Sequence, residues 1–154
     1  MKKLNNTTTI GVIGQGFVGS AIREGLKNFY NVITYDIDET KCNSTQEKVT
    51  IDSDIIFLCL PTPMRKDGSC DLRIVEGELN HLDWRIECAF LNKERKDIPI
   101  VVLKSTIPPG STDRLYESLK FKKMHLCFSP EFLTEANSFE DFKNQTRIII
   151  GGPR

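Results

Sequence analysis

The sequence lacks an apolar run long enough to cross a membrane. Its longest is Ile55 to Leu60, against the ~20 residues that a spanning helix needs. Lys2 and Lys3 open the chain, but Asn5, Asn6 and Thr7 to Thr9 follow where a secretory leader needs an apolar stretch. The expectation is a cytoplasmic protein with no membrane partner. An excess of one charge is also lacking, with 21 Lys and Arg against 21 Asp and Glu. A nonspecific nucleic-acid binder shows a basic excess, so nucleic acid is not an expected partner. The five cysteines, Cys42, Cys59, Cys70, Cys88 and Cys127, are odd in number and include no C-x-x-C pair. That excludes a disulfide framework and the common zinc sites, and no metal is expected. Repeats and low-complexity linkers are missing as well. What remains is a chain of 154 residues, 39% hydrophobic, which is too apolar for disorder and sized for one domain.

Short apolar runs alternate with amphipathic segments. Thr9 to Ile13 reads as a buried strand, a glycine-rich turn follows, and Phe17 to Leu26 reads as a helix. Val32 to Tyr35 is a second strand, and Lys48 to Ile51 a short third one. Ile55 to Leu60 is wholly apolar, as expected of a strand covered on both faces, and Pro61 and Pro63 stop it. Residues 71 to about 92 read as a helix whose Leu72, Val75, Leu79, Leu82 and Ile86 form one apolar stripe, with Asp71 as its cap. Ile98 to Leu103 and Met124 to Phe128 are further strands. Between them, Ser111 or Thr112 caps a helix reaching Leu119. A helical stretch from Leu133 to Phe142 and a last strand, Arg147 to Ile150, complete the series. Such alternation implies a doubly wound, mostly parallel α/β sheet in a single domain. Ligands bind beyond the carboxyl ends of strands in such sheets. Gly14 to Gly19, Asp36, Thr62, Ser105, Thr106 and Glu131 all fall just after strands.

Gly14-Gln15-Gly16-Phe17-Val18-Gly19 is G-x-G-x-x-G, placed between a strand and a helix. In a Rossmann-like sheet Gly14 permits the tight turn, Gly16 lets the backbone approach a pyrophosphate, and Gly19 lets helix and strand pack closely. The helix amino terminus offers free N–H groups to phosphates. Asp36 ends the second strand near the spacing of about 20 residues expected for the acid that holds a ribose. A carboxylate there opposes a 2′-phosphate, so the expected cofactor is NAD rather than NADP. Lys41 is placed to stack or pair near the adenosine.

Three later motifs carry small hydroxyls and carboxylates. They are Thr62 between prolines, Lys104-Ser105-Thr106-Ile107-Pro108-Pro109-Gly110, and Ser129-Pro130-Glu131-Phe132-Leu133-Thr134-Glu135. A hydroxyl can position a water or a ribose, and a carboxylate can act as a general base. Glu131 and Glu135 share a face if their stretch is helical. Taken with GVIGQGFVGSA, TYDID, LPTP, DGSCDL and RIIIGG, these motifs run through residues 9 to 152 in family order. The sequence thereby resembles the NAD-binding half of the UDP-glucose/GDP-mannose dehydrogenase family, in particular its UDP-glucose 6-dehydrogenase type. That family oxidises the primary alcohol of a nucleotide sugar to a carboxylate in two NAD-dependent hydride transfers. The resemblance implies that Gly14, Gly16, Phe17, Val18 and Gly19 line the pyrophosphate and that Asp36 and Lys41 hold the adenosine. It implies that Thr62, Ser105 and Glu135 touch the rest of the cofactor. Thr106 would position the reacting water, Glu131 would assist proton transfer, and Phe132 and Leu133 would contact the sugar nucleotide.

Departures from the family pattern shape the expectation. The family's nucleophilic cysteine and catalytic lysine lie downstream of Arg154, in a linking helix and a second domain. Cys70, in Asp67-Gly68-Ser69-Cys70, follows LPTP, where the family carries a loop, and is not read as that nucleophile. The segment between Asp36 and Asp54 is short for the family and lacks its P-I-x-E-P-G-L stretch. The expectation is an NAD-binding domain of an oxidoreductase that needs a second domain for full turnover. The alternative is a stand-alone NAD or nucleotide-sugar binding or regulatory module. In either case the expected partners are NAD, a UDP-sugar, and a second copy or a missing second domain.

Overall fold

The computed structural model describes residues 8–153, so the Lys2 to Thr7 stretch read above for a leader lies outside the described residues. Strand β1 (Thr9–Ile13) lies within a sheet of parallel strands. Its neighbours are β2 (Asn31–Tyr35) and β3 (Ile55–Leu58), and β4 (Ile100–Leu103) and β5 (His125–Phe128) follow outward from β3. The order is β2-β1-β3-β4-β5. The register places Tyr35, Ile13, Leu58, Leu103 and Phe128 in one row at the carboxyl ends, so every following loop leaves from the same edge. This is the Rossmann-like α/β architecture that the strand–helix alternation predicts.

Alternate residues of each strand point to opposite faces, and each face has its own core. On one face Ile13, Ile56, Leu58, Val101 and Leu103 pack under three helices. These are α2 (Gln46–Asp52), α3 (Arg73–Leu91) and α4 (Ser111–Ser118). The α3 stripe is buried as expected, with Val75, Leu82 and Ile86 at 0% exposure. Each such side chain contributes roughly 1.5–3 kcal/mol of hydrophobic stabilisation. On the other face Ile10, Val12 and Phe57 meet Val18 and Ile22 of α1 (Phe17–Leu26) and Phe142 of α5 (Ser138–Lys143).

Several local readings are corrected. Lys48 to Ile51 is not a strand but part of α2. Its β-branched Val49-Thr50-Ile51 run favours a strand locally. However, the Thr45 hydroxyl caps the helix by accepting from the Lys48 N–H at 3.2 Å, and Val49 docks into the core. Asp71 stands one residue before the α3 N-cap, Leu72, although its carboxylate still accepts from the Arg73 N–H at 3.1 Å. Neither Ser111 nor Thr112 caps α4. The cap is Gly110, at φ +79°, and Ser111 is buried in the first turn. The stretch from Leu133 to Phe142 begins extended, passes through a 3₁₀ turn (Glu135–Asn137), and becomes helical only at Ser138. Arg147 to Ile150 forms no strand. Only Gly151 bridges Phe128, in antiparallel sense, and Ile148, Ile149 and Ile150 stay exposed. The remaining strand ends differ by one or two residues. For example, β3 stops at Leu58 because the Leu60 N–H turns to the Ser105 hydroxyl at 3.0 Å.

Candidate functional site

A cavity of about 740 Å³ opens along the carboxyl edge of the sheet. The glycine turn forms its centre. Gly14 has φ +89°, a left-handed conformation that other residues adopt only under strain. A Cβ at Gly14 would also overlap the Cys59 carbonyl. The Gly14 N–H donates to Tyr35 O at 2.9 Å, which pins the turn between β2 and β3. Gly16 is the N-cap of α1, and a Cβ there would stand in open space. No side chain caps this helix and no acid sits in its first turn, so its leading N–H groups are left for an anion. Gly19 lies outside the cavity and packs against the Gly14 carbonyl oxygen, which a Cβ there would overlap. Buried Gln15 donates from Nε2 to Gly14 O at 3.2 Å, while its Oε1 has no partner among the described residues.

Asp36 enters from the end of β2. One carboxylate oxygen accepts from the Gln15 N–H at 2.6 Å and the other from the Asp38 N–H at 2.9 Å, so its orientation is fixed by backbone. Cys42 reinforces the loop, its thiol accepting from the Asp36 N–H at 3.1 Å. Lys41 lines the same part of the cavity, and its ammonium lies 3.4 Å from Asp38 Oδ2.

The opposite end of the cavity is built by the loops after β3, β4 and β5. The Thr62 hydroxyl donates to Thr106 O at 2.7 Å, and the Thr106 hydroxyl donates to Glu131 Oε1 at 3.4 Å. Beneath them the buried Lys104 ammonium donates to Pro130 O at 3.2 Å and to the Ser129 hydroxyl at 3.4 Å. Burial pulls the Lys104 ammonium below its ordinary value, against the opposing charge of Glu131. Burial pushes the Cys59 thiol up to about 12, so this cavity cysteine is a neutral thiol at neutral pH.

Gly14, Gly16, Phe17, Val18, Asp36, Lys41, Thr62, Ser105, Thr106 and Glu131 are thus brought to one cavity. Phe132, Leu133 and Glu135 are not among its lining residues. Phe132 is exposed, with the Arg147 guanidinium 5.4 Å from its ring centroid, and Glu135 is exposed in the 3₁₀ turn. Because residues 131–134 are not helical, Glu131 and Glu135 do not share a helical face. Cys70 sits in a loop closed by a bridge between Met64 and Cys70. Its thiol faces Thr62 O and Thr106 O at 3.9 and 3.8 Å. All five cysteines are free. Among the described residues no cluster of His, Cys, Asp or Glu is placed to hold a metal, and no helix is long and apolar enough to cross a membrane.

Sequence reasoning missed Lys104 as a lining residue, together with Ile37, Gln46, Ile74, Glu78 and His81. Lys104 was legible from its place directly after β4. Ile74, Glu78 and His81 recur at helical spacing beside the apolar stripe of α3, a face that periodicity marks as solvated.

The family model for the UDP-glucose/GDP-mannose dehydrogenase family, NAD binding domain, matches residues 43–154. An uncharacterized protein of Methanocaldococcus jannaschii is 33% identical over 92% of the chain, which covers 18% of that protein. The UDP-glucose 6-dehydrogenase of Rickettsia typhi is 28% identical over 92% of the chain and 38% of its own length. A UDP-glucose dehydrogenase structure from Pyrobaculum islandicum superposes with a TM-score of 0.78 at 24% identity. The match covers 98% of this chain and 42% of that one. The chain therefore spans less than half the length of these relatives. With strands, glycine turn and acid in this order, and with the family model matched across most of its length, the chain belongs to the UDP-glucose/GDP-mannose dehydrogenase family and carries its NAD-binding domain.

Proposed function

We propose that these residues form the cofactor-holding part of a nucleotide-sugar dehydrogenase of the UDP-glucose 6-dehydrogenase type, and that they do not complete turnover alone. The observation that carries this reading is one cavity with two chemically different ends. Asp36 and the glycine turn stand at one end, and the linked Thr106 and Glu131 at the other. The residues fit NAD: a Cβ at Gly16 would fill the space where a pyrophosphate approaches, and α1 leaves its N–H groups open there. Bound NAD supplies the hydride acceptor.

The chain's own residues then divide the remaining tasks. Asp36 accepts from the ribose hydroxyls while its backbone tethers hold it still. Thr62 and Ser105 position the far half of the cofactor. Lys104 fixes the Ser129–Pro130 segment, so that Glu131 is presented to the substrate alcohol beside Thr106. Glu131 holds or accepts the proton, and Thr106 orients the water that the second oxidation consumes. Phe132 and Leu133, next on the same loop, meet the sugar nucleotide. A covalent aldehyde intermediate requires a thiolate, and the cavity's Cys59 is a neutral thiol. A second domain or a second chain must complete the site.

The test is titration of the folded chain with NAD by calorimetry, followed by an absorbance assay for NADH with UDP-glucose added. Binding without sustained NADH formation supports the proposal. Sustained turnover would refute the need for a partner, and absence of NAD binding would refute the assignment of the cavity.

A further inference from the structure

Part of the cavity's lining, a wing formed by the segment after β2, the start of α2 and one face of α3, is left unused by the tasks above. Its walls are Ile37, on the loop after β2, and Ile74 of α3, with side-chain-bearing residues 94% and 47% exposed. Apolar side chains left open on a cavity's lining are suited to cover a flat ring. The wing also carries a defined polar edge. Gln46, at the start of α2, donates from Nε2 to Glu78 Oε1 of α3 at 2.7 Å. That bond orients the carboxamide, since its NH₂ must face the carboxylate. Glu78 Oε2 and Gln46 Oε1 are the acceptors that remain on this edge, with His81 beside them in the lining and Arg85 near Glu78. Burial pushes the Glu78 carboxyl above its ordinary value.

The sheet order fixes what enters this wing. The glycine turn follows β1, Asp36 follows β2 on one side of it, and Thr106 and Glu131 follow β4 and β5 on the other. A dinucleotide with its pyrophosphate at the turn and a ribose on Asp36 therefore turns its base toward the segment after β2 and the start of α2, where Gln46 meets Glu78. We infer that Glu78, oriented by Gln46, reads the exocyclic amino group of that base and makes the site selective for an aminopurine dinucleotide over its oxo counterpart. The inference rests on the cofactor reading above and adds a specificity residue to it.

The probe is nicotinamide hypoxanthine dinucleotide, in which a carbonyl oxygen replaces the adenine amino group and faces the carboxylate. Binding of NAD and of this analogue is measured by calorimetry in one buffer. The expected result is an affinity for NAD about tenfold or more above that for the analogue, the order expected when a buried acceptor faces another acceptor. In Glu78→Gln, whose amide can turn either atom to the base, the ratio falls to within about threefold. Thermal melting of the variant verifies its fold, and the wild-type ratio stands without the variant. Equal binding of both dinucleotides by the wild type overturns the inference while leaving NAD binding intact. An unchanged ratio in a folded Glu78→Gln overturns it as well. Failure of the folded wild type to bind either dinucleotide overturns both this inference and the cofactor reading.

Discussion

The carboxylate of Asp36 accepts a hydrogen bond from the backbone N–H of Gln15 at 2.6 Å, which ties the acid at the end of β2 to the middle of the glycine turn. Two features that are far apart in the chain are therefore one mechanical unit. Asp36→Ala is expected to weaken NAD binding by ~1.5–3 kcal/mol, the range for losing a hydrogen bond to a charged group. It should also lower the melting temperature of the unliganded protein, because the Gln15 N–H loses its acceptor. Asp36→Asn, which keeps one acceptor oxygen, should fall between the two. Calorimetric affinities equal to the wild type would show that the acid does not touch the cofactor.

Gly16 and Gly19 separate binding from folding. A Cβ at Gly16 meets no atom within 4 Å, so Gly16→Ala should change stability by less than about 0.5 kcal/mol. Its methyl stands where a pyrophosphate approaches, so NAD affinity should fall on the order of tenfold or more. A Cβ at Gly19 would overlap the Gly14 carbonyl oxygen, so Gly19→Ala should destabilise the fold by about 2 kcal/mol or more. Urea unfolding and NAD titration of both variants check the contrast. Equal stability losses in the two would contradict it.

Arg95 is a structural residue with no place in the cavity. Its buried guanidinium donates to Thr50 O, Ile51 O and Ser53 O at 2.9, 2.7 and 2.6 Å, and to Asp97 O at 2.7 Å. The first three are at or just past the end of α2, where a helix leaves carbonyls unbonded. Arg95→Ala should cost about 3 kcal/mol or more, because it strands several buried acceptors at once. Arg95→Lys should recover only part, since one ammonium cannot span these carbonyls. The check is the urea midpoint at constant m-value.

Asp71 contributes to acid sensitivity. Hydrogen bonds from Arg73, then from Arg65, hold its carboxyl well below the usual carboxylate range. A carboxyl depressed in the folded state stabilises in full above its unfolded value, and that contribution drains away as pH falls toward the folded value. Asp71→Asn should therefore be less stable than the wild type at neutral pH, with the gap closing in strong acid. Unfolding midpoints measured across that range decide the matter. A gap that widens on acidification would be the wrong sign.

The parts of the fold that were legible are those where local pattern and packing agree. Ile10, Val12 and Ile13 before Gly14 mark a strand entering a turn, and Leu72 to Ile86 mark the buried stripe of α3. Misreadings fall where β-branched residues outvote context. Val49 to Ile51 are helical because Thr45 and Arg95 satisfy the two ends of α2, and Arg95 lies too far along the chain to be seen from there. Ile148 to Ile150 have strand propensity, but only Gly151 gains a ladder partner, on Phe128. For the cavity, residues directly following strands were readable because the topology sends them to one edge. Glu78 and His81 lie mid-helix, and only tertiary packing of α3 beside α2 turns that face into a wall.

The guanidinium that closes α2 also sets an order of events in the life of the chain. A seven-residue helix is too short to persist alone in water. Its terminal carbonyls wait for a side chain 45 positions later. While the protein is being synthesised, α2 cannot lock until Arg95 has left the ribosome, by which time α3 has emerged as well. The start of α2, which carries Gln46, therefore belongs to a helix whose far end is held by a residue made much later. A nascent chain stopped before Arg95 would lack the donor that Thr50 O, Ile51 O and Ser53 O share in the finished protein.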